Sequence, residues 1–243
     1  MEGREFKNLI FEQFARAANA FASPKRVEII DLLSQGERSV ASISESTNMA
    51  IANTSRHLQI LRNAGMLSAR KDGLNVLYRI ADDSVIEGYR ALCALAESRI
   101  GEVRHLAEAF FGESDGADPV NVHELLKKSR TGEVVVVDVR PQLEYEAGHL
   151  PGAINIALDE LSDRISDFDP NTSVVAYCRG RYCVLAAQAV AIFRSAGLQA
   201  ERLDGGPPEW RCDGIPLAFG PSPHKPQHLH SRKTLPKTKG SKR

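Results

Sequence analysis

The sequence predicts two domains, a mainly helical N-terminal half and an α/β C-terminal half built on a central, mostly parallel sheet. Three observations carry this. Apolar residues recur at helical spacing through residues 1–111, with one alternating stretch near 66–80. The run "GESDGAD" at 112–118 then breaks the periodicity. Beyond it, short unbroken apolar runs such as "EVVVVDV" and "SVVAYC" alternate with helical segments, the mark of strands buried on both faces. With 243 residues, each half is long enough to bury a core. The expected boundaries are 1–111, a linker at 112–118, 119–220, and a proline- and lysine-rich tail at 221–243 expected to be disordered.

Residues 5–21 show helical spacing, and "SPKRVEIIDLLSQG" places Ser23 as a cap, Pro24 at the first helical position and Gly36 past the end. "SVASISESTN" predicts a short helix from Ser39 and a tight turn at Asn48, and "AIANTSRHLQILRNAG" a further helix closing on Gly65. "MLSARKDGLNVLYRI" alternates on both sides of Asp72-Gly73, a hairpin signal. Ser84 then opens one long helix with Val85, Tyr89, Leu92, Leu95, Ile100, Val103, Leu106 and Phe110 on or near one face. In the second half, "VNVHELLKKSRTG" and "VLAAQAVAIFRSAG" read as helices. "EVVVVDV", "GAINIAL", "SVVAYC" and "AERLDGG" hold the strands.

The formal net charge of zero conceals a division. Residues 1–112 carry 14 basic and 14 acidic side chains, residues 113–220 carry 10 and 17, and the last 23 carry 7 basic and none acidic. Local charge, not the total, decides nucleic-acid binding. No apolar run reaches the ~18 residues of a membrane span, and the first residues lack a signal-peptide pattern, so a cytoplasmic protein without membrane contact is expected. Four cysteines are too few for a disulfide framework.

Two short helices, a tight turn and a hairpin make a winged helix-turn-helix. The second helix gathers Asn53, Thr54, Ser55, Arg56, His57 and Gln59 in its N-terminal half, with Leu58, Ile60 and Leu61 on the buried side. No acidic residue stands between Glu45 and Asp72, whereas Arg56, Arg62, Arg70 and Lys71 are basic. Such a stretch suits phosphate contacts that position a helix for base reading, with Arg70 and Lys71 near the wing tip. An ordinary polar surface helix is the alternative. The words "SPKRVEIIDLLSQGERSVASIS" and "NTSRHLQILRNAGMLSARKDGLNVLYRI" resemble the ArsR-type family of small dimeric repressors. The resemblance implies a homodimer joined by its first and last helices, bound to palindromic double-stranded operator DNA. The family's paired metal-sensing cysteines have no counterpart in "SVASISES". Asp82, Asp83 and His105 are too sparse for a four-ligand site, so no metal and no cofactor is expected.

"VVAYCRGRYCVLAAQAV" places Cys178 after an apolar strand and Cys183 before a helix. A reactive sulfur site, a metal clip and a plain turn all fit two such thiols. A thiol at a strand end facing a helix N-terminus meets unpaired backbone N–H groups, which lower its pKa. Arg179 and Arg181 add charge, and Gly180 permits the tight curve. Cys-x4-Cys with no second pair is a poor zinc site. Val184 stands where an arginine-closed phosphatase loop needs its arginine. The flanking words "VVVVDVRPQLEYEAGHLPGAINIALDEL" and "RLDGGPPEW" strongly resemble a single rhodanese domain. The resemblance implies sulfur transfer from a sulfane-sulfur donor such as thiosulfate or polysulfide to a thiol acceptor. It makes Cys178 the nucleophile, the loop Arg179, Gly180, Arg181, Tyr182 and Cys183 its cradle, and Asp138 with Arg140 a supporting ion pair. Many rhodanese loops carry a basic residue where this chain has Cys183, and a second thiol there favours redox chemistry. The combined expectation is a DNA-binding repressor whose rhodanese half senses or delivers sulfane sulfur, coupled through the helix after Ser84. The alternatives are a sulfurtransferase first, or a repressor whose inactive rhodanese half binds partners.

Overall fold

The computed structural model describes residues 1–112 and 122–221. Of the expected linker and tail, all but Gly112 and Pro221 lie outside the described residues. The chain divides into two units, Met1–Glu113 with Pro208–Ile215, and Ser114–Pro207 with Pro216–Arg243.

The first unit runs α1 (Gly3–Phe21), α2 (Pro24–Ser34), β1 (Arg38–Ser39), α3 (Val40–Ser46), α4 (Ile51–Asn63), β2 (Leu67–Asp72), β3 (Asn75–Ile80), α5 (Asp83–Arg99) and α6 (Gly101–Phe111). Pro24 sits in the first turn of α2, where its missing N–H costs nothing. Ser23 holds the cap position in extended backbone, but its hydroxyl makes no capping hydrogen bond. Arg26 closes the preceding helix instead, donating to the carbonyls of Asn19 and Ala20 at 2.6 and 2.8 Å. Ser39 caps α3 by accepting the Ser42 N–H at 3.2 Å. Asn48, with φ 49°, turns the chain into α4, since Asn tolerates the left-handed region better than bulkier residues. β2 and β3 form the hairpin around Gly73, pairing Leu67 with Ile80 and Asp72 with Asn75, and β1 adds to β3 in the antiparallel order β1-β3-β2. Ile29, Ile30, Ile43, Leu58, Leu61 and Ile86, each at most 1% exposed, fill the core, each contributing about 1.5–3 kcal/mol.

The single long helix expected from Ser84 is corrected. Asp82 is the cap, accepting the Ser84 N–H at 2.9 Å. The helix stops at Ile100, whose φ −112° and ψ 97° are extended, and restarts as α6. Gly101 follows the break, and glycine costs about 1 kcal/mol in a helix interior.

The second unit runs α7 (Val122–Thr131), β4 (Val135–Asp138), α8 (Gln142–Ala147), β5 (Ile154–Asn155), α9 (Leu161–Arg164), β6 (Ser173–Tyr177), α10 (Val184–Ser195), β7 (Gln199–Arg202) and α11 (Pro207–Cys212), the last passing into the first unit. All strand pairs are parallel, in the order β5-β4-β6-β7. The strand in "GAINIAL" is only two residues long. Asp138 of β4 pairs with Tyr177 of β6, so both central strands end level at the carboxyl edge, where open α/β sheets bind ligands. Val137, Val174, Ala176, Ala186 and Phe193 pack the core, with Phe168 edge-on to Phe193 at 5.1 Å.

Candidate functional site

The chain leaves β6 at Tyr177 and turns through Cys178 to Cys183 before α10 begins. The turn closes with the Cys183 N–H on the Gly180 carbonyl at 3.1 Å. Cys178, directly after the strand, is 2% exposed, and Cys183, the cap residue of α10, is half-buried. Both are free thiols, Cys178 Sγ donates to the Cys183 carbonyl at 3.4 Å, and the two side chains are close enough for each to shift the other's pKa. Backbone N–H groups of Gly180 and Ala186 face the Cys178 sulfur, and those of Arg179 and Leu185 face the Cys183 sulfur. Four N–H donors thus surround two sulfurs, which suits one negative charge shared between them.

The hydrogen bond from Cys178, then the N–H groups and Arg179, pull Cys183 down to about 6 against the cost of its burial. The bond to Cys183 and near-complete burial push Cys178 up. The two thiols therefore titrate as a pair that holds one negative charge between them. The Arg179 guanidinium grips the buried carboxylate of Glu144 at 2.7–3.1 Å, and its positive charge also acts on Cys183. Arg181 and Tyr182 are exposed.

Two further positions, not anticipated from the sequence, brace the loop. Arg202 donates to the Arg181 carbonyl at 3.4 Å and pairs with Asp204 at 2.7 Å. Gly206 presses against the loop backbone so closely that a Cβ there would stand 2.1 Å from the Arg179 oxygen. The Gly-Gly dipeptide at 205–206 is the one sequence signal for such an approach; Glu144 and Arg202 carry none.

Asp138 and Arg140 lie beneath the loop. Their side chains, at most 1% exposed, meet at 2.6 Å, and Arg140 also donates to the Gly148 carbonyl at 2.7 Å. Burial works against the Arg140 charge, yet Asp138 holds its pKa above the ordinary value. The Leu150 N–H donates to the Tyr177 hydroxyl at 3.1 Å, and Arg140 stands 5.8 Å from that ring. This network anchors the residue before Cys178 without touching the sulfurs. His149 stacks on Tyr145 at 3.6 Å with Nδ1 2.8 Å from the Tyr145 carbonyl; burial lowers its pKa.

On α4, Asn53, Arg56, Gln59 and Arg62 are exposed and Ser55 is half-buried. Thr54 is corrected as a groove residue. It is 0% exposed and its hydroxyl donates to the Ala50 carbonyl at 3.2 Å, because positions 54, 58 and 61 share the core face. His57 is half-buried with Nδ1 enclosed and without a hydrogen-bond partner. Burial first, then Arg26 and Arg56, lower its pKa, so it stands neutral at pH 7. Arg70 is exposed on β2, where Glu37, 33 residues upstream, accepts from its guanidinium at 2.6–3.0 Å. Lys71 is exposed at the hairpin. Among the described residues no group of three His, Cys, Asp or Glu is placed to hold a metal, and no helix is long and apolar enough to cross a membrane.

A winged helix-turn-helix joined to a parallel-sheet unit with a cysteine loop defines a DNA-binding regulator with a rhodanese-like half. The pattern of the bacterial regulatory protein, arsR family, matches residues 23–69, and that of the rhodanese-like domain matches residues 121–212. The HTH-type transcriptional regulator Rv0324 of Mycobacterium tuberculosis is 42% identical over 214 residues, covering 88% of this chain and 94% of that one. The chain belongs to this family of arsR-type transcriptional regulators with a rhodanese-like domain. Shorter relatives match the DNA-binding half, among them the probable mercury resistance operon repressor of Streptomyces lividans, 33% identical over 73 residues, 30% of this chain and 58% of that one. Among solved structures, the winged helix-turn-helix fragment of Mb0332 from Mycobacterium bovis is 34% identical, covering 41% of this chain and 91% of that one, with a TM-score of 0.38.

Proposed function

We propose that this regulator is a dimeric repressor whose affinity for operator DNA changes when the Cys178–Cys183 loop accepts sulfane sulfur. The observation that carries the reading is the pair of free, electrostatically coupled thiols in one tight loop at the start of α10, in a chain whose other half is a DNA reader. Such a cradle stabilises thiolate and persulfide anions. Sensing is favoured over turnover by two features. Arg179 is paired with Glu144, which engages one of the two loop arginines that could hold thiosulfate. A second thiol occupies the sixth loop position.

Bases are read by Asn53, Ser55, Arg56 and Gln59, with Arg62 and Lys71 on phosphate, as the exposed face of α4 and the wing allow. The partner for dimerisation is a second copy. Phe6, Phe11 and Phe14 of α1 and Leu95, Leu106 and Phe110 of α5 and α6 are 52–62% exposed, apolar side chains that a second copy would cover. Asp138 and Arg140 hold the sheet edge under the loop.

The test of the sulfur reading is stoichiometric. Reduced full-length protein should consume about one equivalent of polysulfide sulfane sulfur per protomer, and the Cys178→Ser/Cys183→Ser double variant none. Equal consumption by the double variant would place the acceptor elsewhere.

A further inference from the structure

At α11 the chain passes from the second unit into the first: Pro207 ends one, and Pro208–Ile215 belong to the other. On the near side, Gly206 lies so close to the Arg179–Gly180 peptide that a Cβ would overlap the backbone of both residues. Packing that tight passes a displacement on and does not absorb it. On the far side, within the first unit, α11 is clasped to α5. Arg90 forks the Asp213 carboxylate at 2.9 and 3.2 Å and donates to the Glu209 carbonyl at 3.4 Å. Arg211 reaches Asp83 at 2.6 Å, and Cys212 packs against the core. The end of α11 is closed by the Asp213 N–H on the Glu209 carbonyl at 3.0 Å and the Ile215 N–H on the Trp210 carbonyl at 2.8 Å. It therefore moves as one short piece.

We propose that α11 couples the cysteine loop to α5: a displacement of the Arg179–Gly180 peptide is handed through Gly206 to α11, and by the clasp to Asp83 and Arg90. The proposal rests on the sulfane-sulfur reading above for its signal, and names the device that carries it. Asp83 and Arg90 stand two helical turns apart on one side of α5. Leu92 and Leu95, among the side chains left exposed on that helix, lie roughly 200° and 140° around it from Arg90. The clasp thus holds α5 from the side opposite the surface that a second copy would cover. The side chains of both ion pairs are 36–55% exposed. Such pairs are individually weak, so the clasp can shift without unfolding either unit, while the two-pronged Arg90 contact gives the shift a direction. The route through the helix after Ser84 is less direct, because that helix breaks at Ile100.

The test is a charge-swap cycle in the full-length protein. Arg90→Asp and Asp213→Arg each break the clasp, and the double variant rebuilds it with the charges exchanged. One readout is Kd for DNA selected by the reduced protein, before and after inorganic polysulfide. The other is hydrogen exchange of the 179–183 amides in reduced protein, because coupling between two sites is reciprocal. Wild type and the double variant should change Kd at least about tenfold on treatment, and each single variant less than about twofold. The loop amides should exchange at least about fivefold faster in each single variant and return to the wild-type rate in the double. A wild-type Kd response in either single variant would overturn the proposal, as would losses that the double variant does not restore. If wild type consumes no polysulfide sulfur, the sulfur reading fails by itself, and hydrogen exchange decides the coupling. Equal exchange in all four proteins then overturns it, and acceleration reversed in the double variant upholds it. Circular dichroism of each variant separates loss of coupling from loss of fold.

Discussion

Replacing Gly206 by alanine tests how the loop is held. The added Cβ would stand 2.1 Å from the Arg179 oxygen, 2.4 Å from its carbonyl carbon and 2.8 Å from the Gly180 nitrogen. Carbon approaches a carbonyl oxygen to about 3.3 Å, so the 179–180 peptide must retreat by roughly 1.2 Å. The backbone of residue 206 is outside the left-handed region, so the effect is one of space. The displaced stretch carries the Arg179 and Gly180 N–H groups that face the two sulfurs. A hydrogen bond stretched that far is lost, and one donor to a charged acceptor contributes about 1.5–3 kcal/mol. That is about one to two pKa units. Cys183, at about 6 in the native loop, should move up to about 7–8. At pH 7 its thiolate fraction then falls by a factor of about two to ten. The assay is iodoacetamide alkylation of Cys183 across pH, read by peptide mass spectrometry. A folded Gly206→Ala protein whose alkylation midpoint matches wild type would refute the account of the loop.

Three further outcomes are expected. Cys178→Ala removes the largest cause of the low Cys183 pKa, so the alkylation midpoint should rise from about 6 towards the ordinary thiol range; an unmoved midpoint would mean the thiols do not share a proton. Asp138→Ala leaves the fully buried Arg140 charge unpaired and should cost about 3–5 kcal/mol, seen as faster hydrogen exchange in β4 and β6; a loss under about 1 kcal/mol would contradict the anchoring role. On α4, Arg56→Ala should weaken DNA binding about tenfold or more, whereas Thr54→Val should leave it within about twofold, because Thr54 is buried. Comparable losses in both, measured by fluorescence anisotropy, would mean that the helix meets DNA by a different face.

Periodic features were legible in the sequence because they depend on neighbours in the chain. The unbroken apolar runs of β4 and β6 announce a sheet covered on both faces, Asp72-Gly73 announces the hairpin, and the strand–Cys–helix order announces the loop. The break at Ile100 was not legible, since the apolar spacing continues across it into α6. Long-range pairings were hidden for a plainer reason. Glu37 reaches Arg70 from 33 residues away and Glu144 reaches Arg179 from 35, so a local charge pattern overstates what those arginines have to spare. Thr54 illustrates the opposite case: its spacing from Leu58 and Leu61 marks the core face, and its polar character masks that. The coupling of Cys178 to Cys183 depends on the turn that brings the two side chains together and on the N–H groups around them, neither of which the linear order carries.

The central claim is that sulfur chemistry in the loop governs DNA binding, and its most direct measurement is an anisotropy titration. DNA selected by the reduced full-length protein from a random pool would be titrated with reduced, polysulfide-treated and re-reduced protein. The account predicts at least about a tenfold change in Kd on treatment, about 1.4 kcal/mol, reversed on reduction and absent in the double cysteine variant. An unchanged Kd in treated wild type, with the loop cysteines shown by mass spectrometry to have reacted, would contradict it.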